Sequence, residues 1–175
     1  MSEDKGFSEE SLRKIAAQKI SFRYSVRIHL AVYILVNILL FAINFITAPS
    51  MITFYTSWFV YPLLGWFVGL SIHAVSYIMF ARGVYPIAKR GVIYHFTAYL
   101  TGMILLVVTN LQTLPIYLWV LWPGIFWSAA IIVHVVIYLL YFKAKIMETG
   151  DVKSRKEQAI EKEMEKMRKK MNREI

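Results

Sequence analysis

The chain has 175 residues, 58% of them hydrophobic and 18% charged, with a formal net charge of +9, no cysteine and a mean hydropathy of +0.51. The lack of cysteine excludes disulfides, thiolate metal sites and thiol redox chemistry. Every Lys and Arg lies in the segment up to Arg27, in the loop with Arg82, Lys89 and Arg90, or in the tail from Lys143. That distribution reads as membrane topology and attraction to anionic lipid headgroups, and it gives no support to nucleic-acid binding.

Residues 1–27 are predicted to form a cytoplasmic pre-helix. Ser8 is its expected N-cap, Glu9 and Glu10 suit the positive end of the helix dipole, and Phe7 is placed to staple onto Leu12. Nothing from Leu12 to Arg27 is Gly or Pro, so this helix is predicted to run straight into the membrane. The polar start and the long first apolar run predict a retained helix, not a cleaved signal. Four apolar runs follow, Ile28 to Ala48, Tyr55 to Ala81, Gly91 to Leu114 and Ile116 to Phe142, each long enough for a hydrocarbon core that takes about 20 helical residues. They pair into a first hairpin, 28–81, and a second, 91–142. The loop 82–90, with Pro86 between two glycines, divides them. The connections within the hairpins are uncharged, so the positive-inside rule sets both termini and the 82–90 loop in the cytoplasm. Phe54, Tyr55, Trp58, Tyr117, Trp119 and Trp122 around those connections suit an outer interfacial belt.

The two hairpins repeat each other. His29, Tyr33 and Asn44 recur 66 residues later as His95, Tyr99 and Asn110, and Trp58, Pro62, Trp66, His73 and Tyr77 recur 61 residues later as Trp119, Pro123, Trp127, His134 and Tyr138. In each copy the His–Asn spacing on one helix equals the Trp–His spacing on the other, so each His should face the other His of its hairpin. At 100° per residue, His29, Tyr33, Asn37 and Asn44 share a face, as do Trp58, Pro62, Trp66, Gly69, His73 and Tyr77; Met103 and Ala130 replace Asn37 and Gly69 in the second copy. Polar atoms are costly in hydrocarbon unless partnered. These faces are therefore predicted to turn inward in a four-helix bundle, with four histidines in one layer near the cytoplasmic end and two asparagines with two tryptophans in another. Gly65-x3-Gly69 is a small-residue motif that would let helices approach closely. Pro62 and Pro123 fall about one turn into their helices.

Three readings fit the histidines. They are a structural layer of neutral imidazoles, with no cofactor; axial or direct ligands of haem b or a transition metal through His29, His73, His95 and His134; or a pH-sensing cluster. Tyr33, Tyr77, Tyr99, Tyr138, Asn37, Asn44 and Asn110 are the supporting polar groups. Small residues beside the histidines, Gly69, Ala74, Ala98 and Ala130, meet a macrocycle's need for room only in part. The chain carries no intramembrane carboxylate, no phosphate-binding glycine loop and no HExxH, so no enzyme is expected.

Residues 143–175 form the basic tail. Thr149-Gly150-Asp151 should break the fourth helix, and a polar helix follows with Ile160, Met164, Met167 and Met171 on one seam and Glu165 four residues before Lys169. The seam suits self-association, a lipid surface or a solvated tail.

Residues from about Arg13 to Ala81 closely resemble the two-transmembrane (2TM) domain family. The resemblance rests on the basic pre-helix, His29-Leu-Ala-Val-Tyr33-Ile-Leu-Val-Asn37, Asn44, and Trp58-Phe-Val-Tyr-Pro62-Leu-Leu-Gly65-Trp66-Phe-Val-Gly69-Leu-Ser-Ile-His73. The second copy keeps the His, Tyr, distal Asn, Trp and Pro positions and is similar to a diverged duplicate. The resemblance implies helical hairpins of the kind found alone or joined to signalling domains. The expectation is an all-α, multi-pass cell-membrane protein with cytoplasmic N- and C-terminal helices. It would be a non-enzymatic sensory, assembly or scaffold element whose partners are the bilayer and a second copy or another membrane protein. The alternative is a haem b or metal-binding membrane protein.

Overall fold

Ser8 opens the first helix by accepting a hydrogen bond from the Ser11 backbone N–H at 3.2 Å, with Glu9 and Glu10 in the first turn. The computed structural model describes residues 8–48, 53–84, 86–143, 145–146 and 152–174. The Phe7 staple and the Thr149-Gly150-Asp151 break lie outside the described residues, as does the Met171 side chain. Helix α1, Glu9–Thr47, is one uninterrupted element of 39 residues. That is roughly 58 Å at 1.5 Å per residue, about twice a hydrocarbon core of ~30 Å. Pre-helix and first span are therefore one rod, as the absence of Gly and Pro predicts.

Helices α2 (Val60–Ala81), α3 (Ile87–Thr113) and α4 (Leu121–Ile137) follow, and α4 continues as a π-helical turn over Tyr138–Phe142. Together with α1 these give four helices long and apolar enough to cross a membrane. The chain is an all-helical membrane protein, apart from a two-residue antiparallel pairing of 145–146 with 152–153 that precedes helix α5 (Arg155–Glu174). The second and fourth spans begin about five residues later than the apolar runs, because the aromatic connections are as apolar as the spans and hydropathy does not separate them. Helix α3 begins four residues before Gly91, since the charges of Lys89 and Arg90 do not prevent a helical turn after Pro86. Pro62 and Pro123 each occupy the third helical position, where a missing N–H has no carbonyl to serve.

Polar residues join Leu70, Met79 and Val120 in the interior, and the exterior is apolar. Asn44 and Asn110 are completely buried, and Asn37, Ser57 and Thr101 nearly so, whereas Leu35, Ile38, Phe45, Ile125, Phe126 and Ile132 are exposed. In lipid an apolar side chain gains no hydrophobic free energy by facing another helix. The helices pack in chain order, α1 on α2, α2 on α3 and α3 on α4, with the α2–α3 contact the most extensive. That order sets the two histidines of each hairpin on neighbouring helices. Gln112 near the end of α3 donates to the carbonyls of Phe54 at 2.6 Å and Ser57 at 3.4 Å, tying the second hairpin to the connection of the first.

In α5 the expected Glu165–Lys169 pair is present at 2.7 Å, and the lysine's hydrogen bond holds the Glu165 carboxyl below the usual carboxylate range. Ile160, Met164 and Met167 are exposed.

Candidate functional site

The first histidine pair is the middle of a directed hydrogen-bond chain. Trp66 on α2 donates its indole N–H to His29 Nε2 on α1 at 2.6 Å. An indole nitrogen can only donate, so a neutral His29 carries its proton on Nδ1. That Nδ1 lies 3.4 Å from His73 Nδ1, which must accept, and His73 is left with its proton on Nε2. Ser25 Oγ, one turn before His29, lies 3.4 Å from that Nε2. The order Trp66, His29, His73, Ser25 thus fixes both tautomers and links α1 to α2 three times. Phe22, one further turn back, packs edge-on against His73 at 5.6 Å and Tyr77 at 5.7 Å between ring centroids.

The second copy repeats the chain and leaves its end open. Trp127 donates to His95 Nε2 at 2.9 Å, and His95 Nδ1 lies 3.0 Å from His134 Nδ1. The residue corresponding to Ser25 is Gly91. A Cβ at Gly91 would sit 3.8 Å from His134 Nε2, and among the described residues that nitrogen has no hydrogen-bond partner.

The asparagines do different work from the predicted Asn–Trp layer. Asn44 Oδ1 accepts from the Phe59 N–H at 3.1 Å while its Nδ2 donates to the Thr56 carbonyl at 3.2 Å. Asn110 Oδ1 accepts from the Val120 N–H at 2.9 Å, and its Nδ2 donates to the carbonyls of Leu114 and Tyr117, both at 2.9 Å. Each asparagine therefore satisfies the start of the next helix and closes the connection around itself, because free N–H groups at a helix start need an acceptor. Trp58 and Trp119 stand beside these sites in sequence but make none of the bonds.

The tyrosines divide. Tyr33 donates to the Leu63 carbonyl at 3.1 Å and Tyr99 pairs with Ser128 Oγ at 2.8 Å, so both brace their hairpins. Neither Tyr77 nor Tyr138 bonds a histidine among the described residues. Asn37 donates to the Tyr33 carbonyl at 2.7 Å, and its buried Oδ1 has no partner among the described residues. The Gly65–Gly69 motif does not bring helices of this chain together, since a Cβ at either position would meet nothing within 4 Å. The close approaches are at Gly102, whose Cβ would lie 3.0 Å from the Trp127 ring, and Gly124, 3.0 Å from Met103 Cε. Sequence reasoning missed both, along with Ser25, Gly91, Ser128 and Gln112. The repeat itself held the signal for some of them, because Gly124 with Met103 aligns with Leu63 and Asn37, a small-for-large exchange that keeps each hairpin filled.

The four histidines form two hydrogen-bonded pairs, one in each hairpin. Within a pair, one nitrogen is occupied by the indole and the facing Nδ1 atoms are only 3.0 and 3.4 Å apart. Imidazole–metal bonds of about 2.0–2.1 Å on either side of a porphyrin plane would set facing nitrogens roughly 4 Å apart. Two imidazoles also fall short of the three or four protein ligands of zinc sites, and the described residues hold no group of three or more metal-ligating side chains. The residues as placed do not fit haem or a metal between the members of a pair.

No curated protein and no solved structure matches the chain. A family model described as the 2TM domain matches it twice, over residues 14–83 and 87–165. The two matches span the two hairpins together with the basic arm of α1 and the first half of α5. The chain thus belongs to the 2TM domain family, as a tandem duplicate.

Proposed function

We propose that the protein is a non-enzymatic membrane assembly element. It holds the basic arm of α1 and the amphipathic helix α5 on the cytoplasmic side for a second copy or another membrane protein. The observation that carries this reading is the continuity of α1. The arm that would meet a partner and the residue that pairs with His73 belong to one rigid helix, so a partner's pull on the arm is felt at the pair. The charge distribution supports cytoplasmic termini.

Because the chain has no cysteine, single-cysteine variants report topology cleanly. Thr53→Cys should label with a membrane-impermeant maleimide on intact cells, and Ser11→Cys only after lysis; the reverse pattern would invert the orientation. Assembly is tested by mass photometry in nanodiscs with and without residues 152–175. A smaller particle on deletion, beyond the mass removed, supports the assembly role, and an unchanged protomer number rejects it.

A second reading, proton sensing, is favoured by the donor order of the relay. Charging His29 would put an N–H on Nε2 directly against the Trp66 N–H, so protonation and this hydrogen bond exclude each other. Trp66 emission that stays constant as the pH is lowered would reject it.

A further inference from the structure

The two hairpins serve as internal controls for each other, and they differ most at the polar end of the second. In the first copy Phe22 fills the space against His73, Tyr77 and Phe80. The residue corresponding to Phe22 is Ala88, and Tyr138 corresponds to Tyr77. Where the ring is missing there is a cavity of about 700 Å³, lined by Ile87, Ala88, Lys89, Tyr138, Phe142 and Lys156 among others. Its walls come from three elements. They are the first turn of α3, the π-helical turn that replaces the α-helical Tyr77–Ala81 of the first copy, and the start of α5. Lys156 lies 5.5 Å above the Phe142 ring, and among the described residues neither Lys89 nor Lys156 makes an ion pair.

We propose that this cavity binds the phosphoryl headgroup of an anionic phospholipid, with Lys89 and Lys156 on the phosphate and the Tyr138–Phe142 wall against the glycerol and upper acyl chain. The site sits where the charge-free span ends and the lysines begin, at the depth of headgroup phosphates. Two cationic side chains converge there on an aromatic wall, and the first N–H groups of α3 add donors of the same sign. A headgroup with an apolar stem matches both halves of the lining, which a free anion does not. The first copy lacks the site, because Phe22 occupies the space and α1 has no end there.

The test is native mass spectrometry of the full chain in mild detergent, titrated separately with phosphatidylglycerol, phosphatidylcholine and inorganic phosphate. Phosphatidylglycerol should show one site filled at least about tenfold more tightly than phosphatidylcholine, with each lysine near the surface contributing to the difference. Ala88→Phe, which copies the first hairpin, should abolish that site. The double variant Lys89→Ala/Lys156→Ala should weaken it about tenfold while adding no bulk to the cavity, so the proposal stays testable if Ala88→Phe misfolds. Lys162→Ala/Lys166→Ala removes equal charge elsewhere on α5 and should leave the site unchanged. Equal binding of the two lipids, or equal losses from both lysine pairs, would overturn the proposal. Displacement of phosphatidylglycerol by inorganic phosphate alone would overturn the lipid assignment in favour of a soluble phosphoryl ligand.

Discussion

A single-residue difference decides whether each histidine relay is closed. Ser25 completes the first and Gly91 leaves the second open, so Gly91→Ser should bring a hydroxyl to His134 Nε2 without a clash, given the 3.8 Å already available for Cβ. The gain should be about 0.5–1.5 kcal/mol for the hydrogen bond, on top of up to about 1 kcal/mol for replacing a helical glycine. Gly91→Ala provides only the second part, and steric-trapping unfolding of both variants in bicelles separates them; equal stabilities would mean the hydroxyl does not reach His134. The buried asparagines give the opposite sign. Asn110→Ala strands the buried Val120 N–H, at about 1–3 kcal/mol for a buried group left unpaired, and removes one of two bonds from each of the Leu114 and Tyr117 carbonyls, which still accept from the Tyr117 and Trp119 N–H groups. Asn44→Ala strands the Phe59 N–H and removes a single carbonyl bond, to Thr56, which keeps the Trp58 N–H, and should cost less. A loss at Asn110 no larger than that at Asn44, in the same assay, would show that the connection re-forms its bonds with lipid-interface water.

At the scale of the helices, motif and contact part company. Gly65 and Gly69 carry the recognisable small-residue spacing, yet a Cβ at either meets nothing in this chain, while Gly102 lies under a ring that His95 holds in place. Gly102→Val should therefore displace Trp127, breaking its bond to His95 at a cost of about 1–3 kcal/mol as overpacking, and shift the tryptophan emission. Gly65→Ala should be neutral or stabilising by up to about 1 kcal/mol; matched losses at the two positions would place Gly65 in a contact between copies. The spans, the histidine pairing and the fusion of pre-helix with first span were legible in the sequence because hydropathy, repeat spacing and missing helix breakers are local signals. The helix starts at Val60 and Leu121 were not, since an apolar aromatic connection looks like a span until the asparagine that closes it is seen. Nor was the tie of Gln112 to the connection of the first hairpin, because a repeat fixes what lies within each unit and leaves open how the units meet.

For the whole molecule, that meeting is made by α2 and α3 along their length and by Gln112 at the outer end. Each hairpin holds its own asparagine closure and its own Trp–His–His relay, so the bonds that define a hairpin do not cross to the other. The molecule is thus two self-closed units joined by one interface and by the short turn that includes Gly83, whose φ of 67° suits a residue without a side chain. Cutting the chain in that turn should leave two fragments, 1–84 and 85–175, that insert separately and recover each other in the membrane. Co-expressed with a tag on one fragment, they should purify together in mild detergent. Gln112→Ala should lower the recovery by removing both bonds to the first hairpin, whereas Ser128→Ala, which acts only within the second, should not. Failure of the unmodified fragments to copurify would mean that the covalent turn, and not the α2–α3 face, holds the duplicate together.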